Sequence, residues 1–186
     1  MNAVIVHDVA SLMFLLPFSA LCVAEVFFGY TVYPSFLTHA LTMHMYYDLT
    51  WIIIQPKIIP SMRELIMLHH IVCLIYLLRP LTYPEEAHLT SLAALVEIDT
   101  SILMIRRLIP RKWSLYRHVN SLYLMSNLFI RVFYETFLSV LVFFIYAREN
   151  MFAKMHIIGC QFFINFFSCG ICGLTYVKQN PALKNE

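Results

Sequence analysis

Six apolar runs fill this chain almost end to end, at about 4–30, 35–55, 62–79, 87–109, 114–147 and 154–177. Each is near or above the roughly 20 residues that an α-helix needs to cross a hydrocarbon core of about 30 Å. The breaks between them carry Pro and charge, as in Tyr33-Pro34, Gln55-Pro56-Lys57 with Pro60, Arg79-Pro80, Pro84-Glu85-Glu86, Pro110-Arg111-Lys112 and Arg148-Glu149-Asn150, all of which stop or cap helices. With 60% hydrophobic and 13% charged residues, no soluble domain is left to build. A β-barrel would need alternating segments of about 10 residues, and these runs are too long and too continuous for that. The expectation is an all-α polytopic membrane protein. It has a retained first helix within 1–34, five further helices within 35–178 and a short tail, 179–186.

The stretch 114–147 is long, since it would make about 50 Å of helix. Asn120, Tyr123, Asn127, Arg131, Tyr134 and Leu138 recur at helical spacing and share one face if the helix runs unbroken, so one long helix is expected. Basic residues are retained on the cytoplasmic side. The richest cluster is Arg106, Arg107, Arg111, Lys112 and Arg117, and placing it inside puts Lys57, Arg63, Lys178 and Lys184 inside as well. Both termini are then cytoplasmic.

Polar groups within the runs mark where chemistry could reside, because ionisable side chains at membrane depth are costly and face a bundle interior. The second helix carries His39, His44, Tyr47 and Asp48, with His44 and Asp48 one turn apart and able to share a face. The third carries the consecutive pair His69-His70, whose side chains point about 100° apart, so one can act while the other supports. The fourth holds Glu97, Asp99, Thr100 and Ser101, with Arg106 on the Asp99 face two turns on. Arg131 is the expected counter-charge, and Glu135 competes for it. Gln161, Asn165, Ser168, Cys172 and Thr175 form a stripe suited to interhelical hydrogen bonds. Five cysteines, all within apolar runs, read as small buried hydrophobes and lack metal-ligand spacing. No metal or cofactor is implied. The eight histidines likewise lack the clustered boxes of a di-metal hydroxylase.

In order along the chain, several of these residues resemble the TLC domain of ceramide synthases, TRAM proteins and smaller lipid-linked membrane proteins. They are Ser35–Ala40, Asp48, Leu68-His69-His70-Ile71-Val72, Glu97-Ile98-Asp99-Thr100 leading to Arg106, and Asn120 followed by Phe129-Ile130-Arg131. The resemblance implies a six-helix barrel around a lipid-accessible cavity with the His pair inward. It also implies acyl transfer from acyl-CoA to a sphingoid amine, with His69, His70, Asp48, Glu97 and Asp99 as catalytic candidates and His44, Tyr47, Arg106, Asn127 and Arg131 as substrate-binding candidates. The chain departs from the synthases in lacking the His of their second motif, where it reads Glu97-Ile98-Asp99-Thr100-Ser101. It departs from the smaller members at His44, Asp99 and Met104.

Two functional readings follow. One is a lipid-related enzyme or lipid-binding protein whose partners are membrane lipids. The other is a non-enzymatic subunit of a larger membrane complex or a homodimer, for which Gly159, Gly170 and Gly173 are contact candidates. Nothing points to nucleic acid. The family implies the endoplasmic reticulum, with another organelle membrane such as the mitochondrial one as the alternative.

Overall fold

The structure, a computed structural model, describes residues 3–30, 35–56 and 62–179, with residues 178 and 179 in backbone only. Pro34, Lys57, Pro60, Lys184 and most of the expected tail lie outside the described residues, as does the side chain of Lys178. The described elements are helical throughout: α1 (Ala3–Phe28), α2 (Phe36–Ile54), α3 (Arg63–Thr82), a 3₁₀ turn (Pro84–Glu86), α4 (His88–Ala94), α5 (Glu97–Leu108), α6 (Ser114–Leu128), α7 (Glu135–Tyr146) and α8 (Met151–Gln179). Between α6 and α7 the residues Phe129–Tyr134 form a π-helical segment. One continuous helical column therefore runs Ser114–Tyr146.

Among the described residues, five stretches are long and apolar enough to cross a membrane: Ala3–Phe28, Arg63–Thr82, Pro84–Leu108, Ser114–Tyr146 and Met151–Val177. Their outward faces are apolar, with Met13, Phe28, Phe144, Phe152 and Phe166 among the most exposed side chains. Such a surface suits lipid rather than water. Helix α2 carries His39, His44 and Asp48 and is not among the five.

Local chemistry sets the ends and joints. Gly29, at φ 65°, closes α1 as a left-handed cap, its N–H donating to Glu25 O, while Tyr30 N–H donates to Ala24 O. Helix α3 runs through Pro80 to Thr82, past the stop that Arg79-Pro80 suggests. The expected fourth helix is jointed at Leu95-Val96, where hydrogen bonds tighten to i→i+3 spacing (Val96 N–H to Ala93 O, Ile98 N–H to Leu95 O).

The helices close into a ring. α1 packs on α5, α5 on α6, the α6–α7 column on α8, α8 on α3, α3 on α2, and α2 back on α1. One half of the ring is filled: Phe18, Cys22, Leu41, Tyr76, Leu77, Leu89, Leu138, Val142 and Ile157 form a continuous core. The other half, where α1 begins, α5 ends and α6 begins, is hollow.

Candidate functional site: a hollow half-bundle lined with ionisable groups

A cavity of about 990 Å³ occupies the hollow half, with apolar walls from Leu15, Ile66, Leu103, Ile164 and Phe167. Arg107 and Arg111, both exposed, line it at the basic end, whereas the buried Glu97 and Phe167 lie deep. That volume is in the range of small-molecule and lipid sites. Ionisable residues reach it from every column of the ring except α8, whose lining is Ile164, Phe167, Ser168, Ile171, Leu174 and Thr175.

The first group is a string of paired charges. Arg107 Nε lies 3.0 Å from Asp8 Oδ2. Asp8 Oδ1 lies 3.3 Å from His7 Nδ1, and His7 Nε2 lies 2.5 Å from Asp48 Oδ1. Asp48 Oδ2 contacts His70 Nε2 at 2.8 Å, and His70 Nδ1 donates to Ile66 O at 2.8 Å. Each of the four imidazole contacts needs one hydrogen, and two neutral imidazoles supply only two. The string therefore holds two protons more, on the rings or on the carboxylates. Every ring nitrogen of His7 and His70 is engaged, so the string is a brace joining α1, α2, α3 and α5. A saturated buried network of this kind rigidifies a core.

The second group is centred on Asp99. It accepts hydrogen bonds from Arg131 Nε at 2.5 Å, Ser126 Oγ at 2.6 Å and Asn127 Nδ2 at 3.1 Å, while Arg131 Nη2 donates to Thr100 Oγ1 at 3.1 Å. The π segment carries Arg131 at this point, in keeping with the frequency of such bulges at functional sites. Arg131 lines the cavity; Asp99 and Asn127, both fully buried, do not.

The third group is incompletely paired. His69 faces the cavity with its ring stacked on Phe167 at 4.1 Å between centroids. Its ring nitrogens have a weak partner in Cys73 Sγ, 3.6 Å from Nε2. Glu97 is buried on the same cavity wall system, and Arg106 lines it with its guanidinium 5.0 Å from the Tyr123 ring centroid.

Of the residues singled out in the sequence, His44, Asp48, His69, His70, Glu97, Arg106 and Arg131 line one cavity. Tyr47 does not: it is 43% exposed on the outer face, edge-on to Trp51. His44 is stacked on Phe14 at 4.4 Å, and the carboxylate one turn away is held by His7 and His70. Asp99 likewise turns to Arg131 rather than Arg106, because two helical turns separate the latter by about 10 Å along the axis. Glu135 accepts from Gln161 at 3.0 Å, and the ion pair of Arg131 is with Asp99. His7 and Asp8 were not among the candidates. The available signal was a consecutive His-Asp at the start of an apolar run.

Among the described residues, no three His, Cys, Asp or Glu side chains gather closely enough to hold a metal ion. Comparison of the chain with protein-family models, curated proteins and solved structures returns no match.

Proposed function

We propose that the chain is a six-crossing membrane protein of the TLC type, with α2 as the sixth crossing and the basic end cytoplasmic. Its cavity receives a lipid or acyl chain and transfers an acyl group from a thioester to an amine, such as a sphingoid base. The observation that carries this reading is His69, a cavity-facing imidazole without a carboxylate or carbonyl partner, set between Phe167 and the chamber. An imidazole so placed is available as base or nucleophile.

In the simplest sequence His69 takes the proton from the attacking amine as the new C–N bond forms. The C–S bond then breaks, and the departing thiolate receives that proton from the imidazolium. Arg131 and Thr100 supply positive and hydroxyl character near the carbonyl oxygen, while His70, tied at both nitrogens, is a positioning residue that fixes the helix turn bearing His69. The endoplasmic reticulum is the membrane that the TLC resemblance implies.

The test is N-acylation of a sphingoid base by purified, vesicle-reconstituted protein supplied with acyl-CoA. His69→Ala is expected to lower the rate by about 10²–10⁴-fold with unchanged thermal stability. Unchanged turnover in a folded His69→Ala protein, or none in the wild type, would remove the enzyme reading. The second reading, a membrane-complex subunit, is favoured by the outward side of α8, where a Cβ at Gly159, Gly170 or Gly173 would meet nothing within 4 Å. Small residues let partner helices approach closely. Co-purification in fixed stoichiometry, lost on Gly170→Leu, is its expected signature.

A further inference from the structure

The basic end of the molecule carries an electrostatic arrangement that topology signals leave unexplained. Arg106 and Arg107 lie in the last turn of α5, where cations are favoured by the helix dipole. Arg111, Lys112 and Arg117, in contrast, crowd the start of α6, where the dipole already presents positive charge and anions are favoured. The first turn of α6 contains no acidic residue, and its N-cap, Trp113, has no oxygen side chain to take up the free amides.

A groove of about 430 Å³ lies at this helix start, lined by Arg111, Lys112, Trp113, Ser114, Tyr116, Arg117 and Asn120. It shares Arg111, Tyr116 and Asn120 with the large cavity, so the two volumes adjoin. Arg107 is neutralised by Asp8 at 3.0 Å. Arg106 has no such partner: its guanidinium lies between the Tyr116 and Tyr123 rings, at 5.8 and 5.0 Å, and its buried Nε makes no hydrogen bond. A buried charged donor left open is costly unless something accepts from it.

We infer that the groove and the adjoining cavity mouth form a binding site for the phosphate group of an amphiphilic ligand, held by Arg106, Arg111, Lys112, Arg117 and the free amides at the start of α6, with the ligand's apolar part in the cavity. Helix N-termini and guanidinium groups together are the common protein solution for phosphate. A phosphate there offsets the like-charge crowding, accepts from Arg106 and leaves Asp8 and Arg107 undisturbed. The inference goes beyond acyl transfer and does not depend on it, because a lipid-binding protein without catalysis would use the same mouth.

Trp113 lines the groove, so its emission reports occupancy once the other tryptophan is removed by Trp51→Phe. The full chain in detergent is titrated with four probes: dihexanoyl phosphatidate, dihexanoyl phosphatidylcholine, free coenzyme A and inorganic phosphate. Saturable, salt-sensitive quenching by phosphatidate is expected, weakened about tenfold or more by Arg111→Gln with Arg117→Gln. Saturation by phosphatidate but not coenzyme A assigns the phosphate to a membrane lipid, and saturation by coenzyme A assigns it to a soluble carrier; both support the site. No saturable response to any phosphate probe, a response to phosphatidylcholine alone, or full affinity in the double variant would overturn it. Arg106→Lys, which keeps the charge and loses the fork, is a second arm that leaves α6 untouched. It is expected to weaken binding by a smaller factor, and unchanged affinity there would remove Arg106 from the site.

Discussion

The two ends of the bundle use their polar residues in opposite ways. In the filled half polar groups close off in short pairs: Ser91 donates to Glu25 at 2.7 Å, Tyr134 to Leu92 O at 2.7 Å, Gln161 to Glu135, and Glu86 is taken up by Arg79 and Tyr146, while the buried Tyr76 hydroxyl and Gln161 Oε1 make no hydrogen bond. In the hollow half, charges are strung across four helices, and His69 and Arg106 are left with open hydrogen-bonding capacity. Close packing and short polar pairs are what stability needs. Open imidazole and guanidinium groups around a volume are what binding needs, so the difference separates scaffold from site.

The sharpest way to break this contrast is at the one buried charge pair the hollow half cannot do without. Asp99→Ala strands Arg131 and is expected to cost about 3–5 kcal/mol, read by thermal unfolding in detergent. Next, Leu77→Ala opens a void in the filled half and is expected to cost about 2–5 kcal/mol in the same assay. Tyr146→Phe removes only the hydroxyl that donates to Glu86, which Arg79 still holds, and about 1 kcal/mol is expected. The smallest effect is set for Leu103→Ala, which faces existing space and is expected to change stability by about 0.5 kcal/mol or less. A Leu103 cost equal to that of Leu77 would mean the chamber is packed in the protein as it functions, and the distinction between the halves would fall.

Much of this was legible from the chain because hydropathy is local. The apolar runs and their Pro and charge breaks give the helical elements; of the stripe expected over Asn120, Tyr123, Asn127, Arg131, Tyr134 and Leu138, the residues Asn120, Tyr123 and Arg131 line the cavity, whereas Asn127 turns to Asp99 and Tyr134 and Leu138 pack in the filled half. The partners of the charges were less legible, since they are set by packing between distant segments. Asp48 shares a helical face with His44, yet its oxygens are taken by His7 of α1 and His70 of α3. Spacing reports which residues share a face, not which neighbour reaches it first. The division of labour within the histidine pair follows the same rule: consecutive residues point to different places, and α2 and α8 then decide that His70 is tied while His69 stays open. The joint at Leu95-Val96 escaped notice because it contains neither Pro nor Gly.

The string from Arg107 to His70 also bears on how the protein is made. Asp8 and His7 of α1 precede Asp48 of α2 and Arg107 at the end of α5 along the chain. Until α2 and α5 follow, the Asp8 carboxylate and the His7 imidazole have only their mutual contact at 3.3 Å, and the rest of the string closes when Asp48 and Arg107 arrive. If α1 crosses a bilayer, it is expected to be locked in place only after α5 has followed it. A chain truncated after Thr82 is expected to release from membranes more readily under alkaline extraction than the full chain. Asp8→Asn with His7→Leu is expected to restore retention of that fragment.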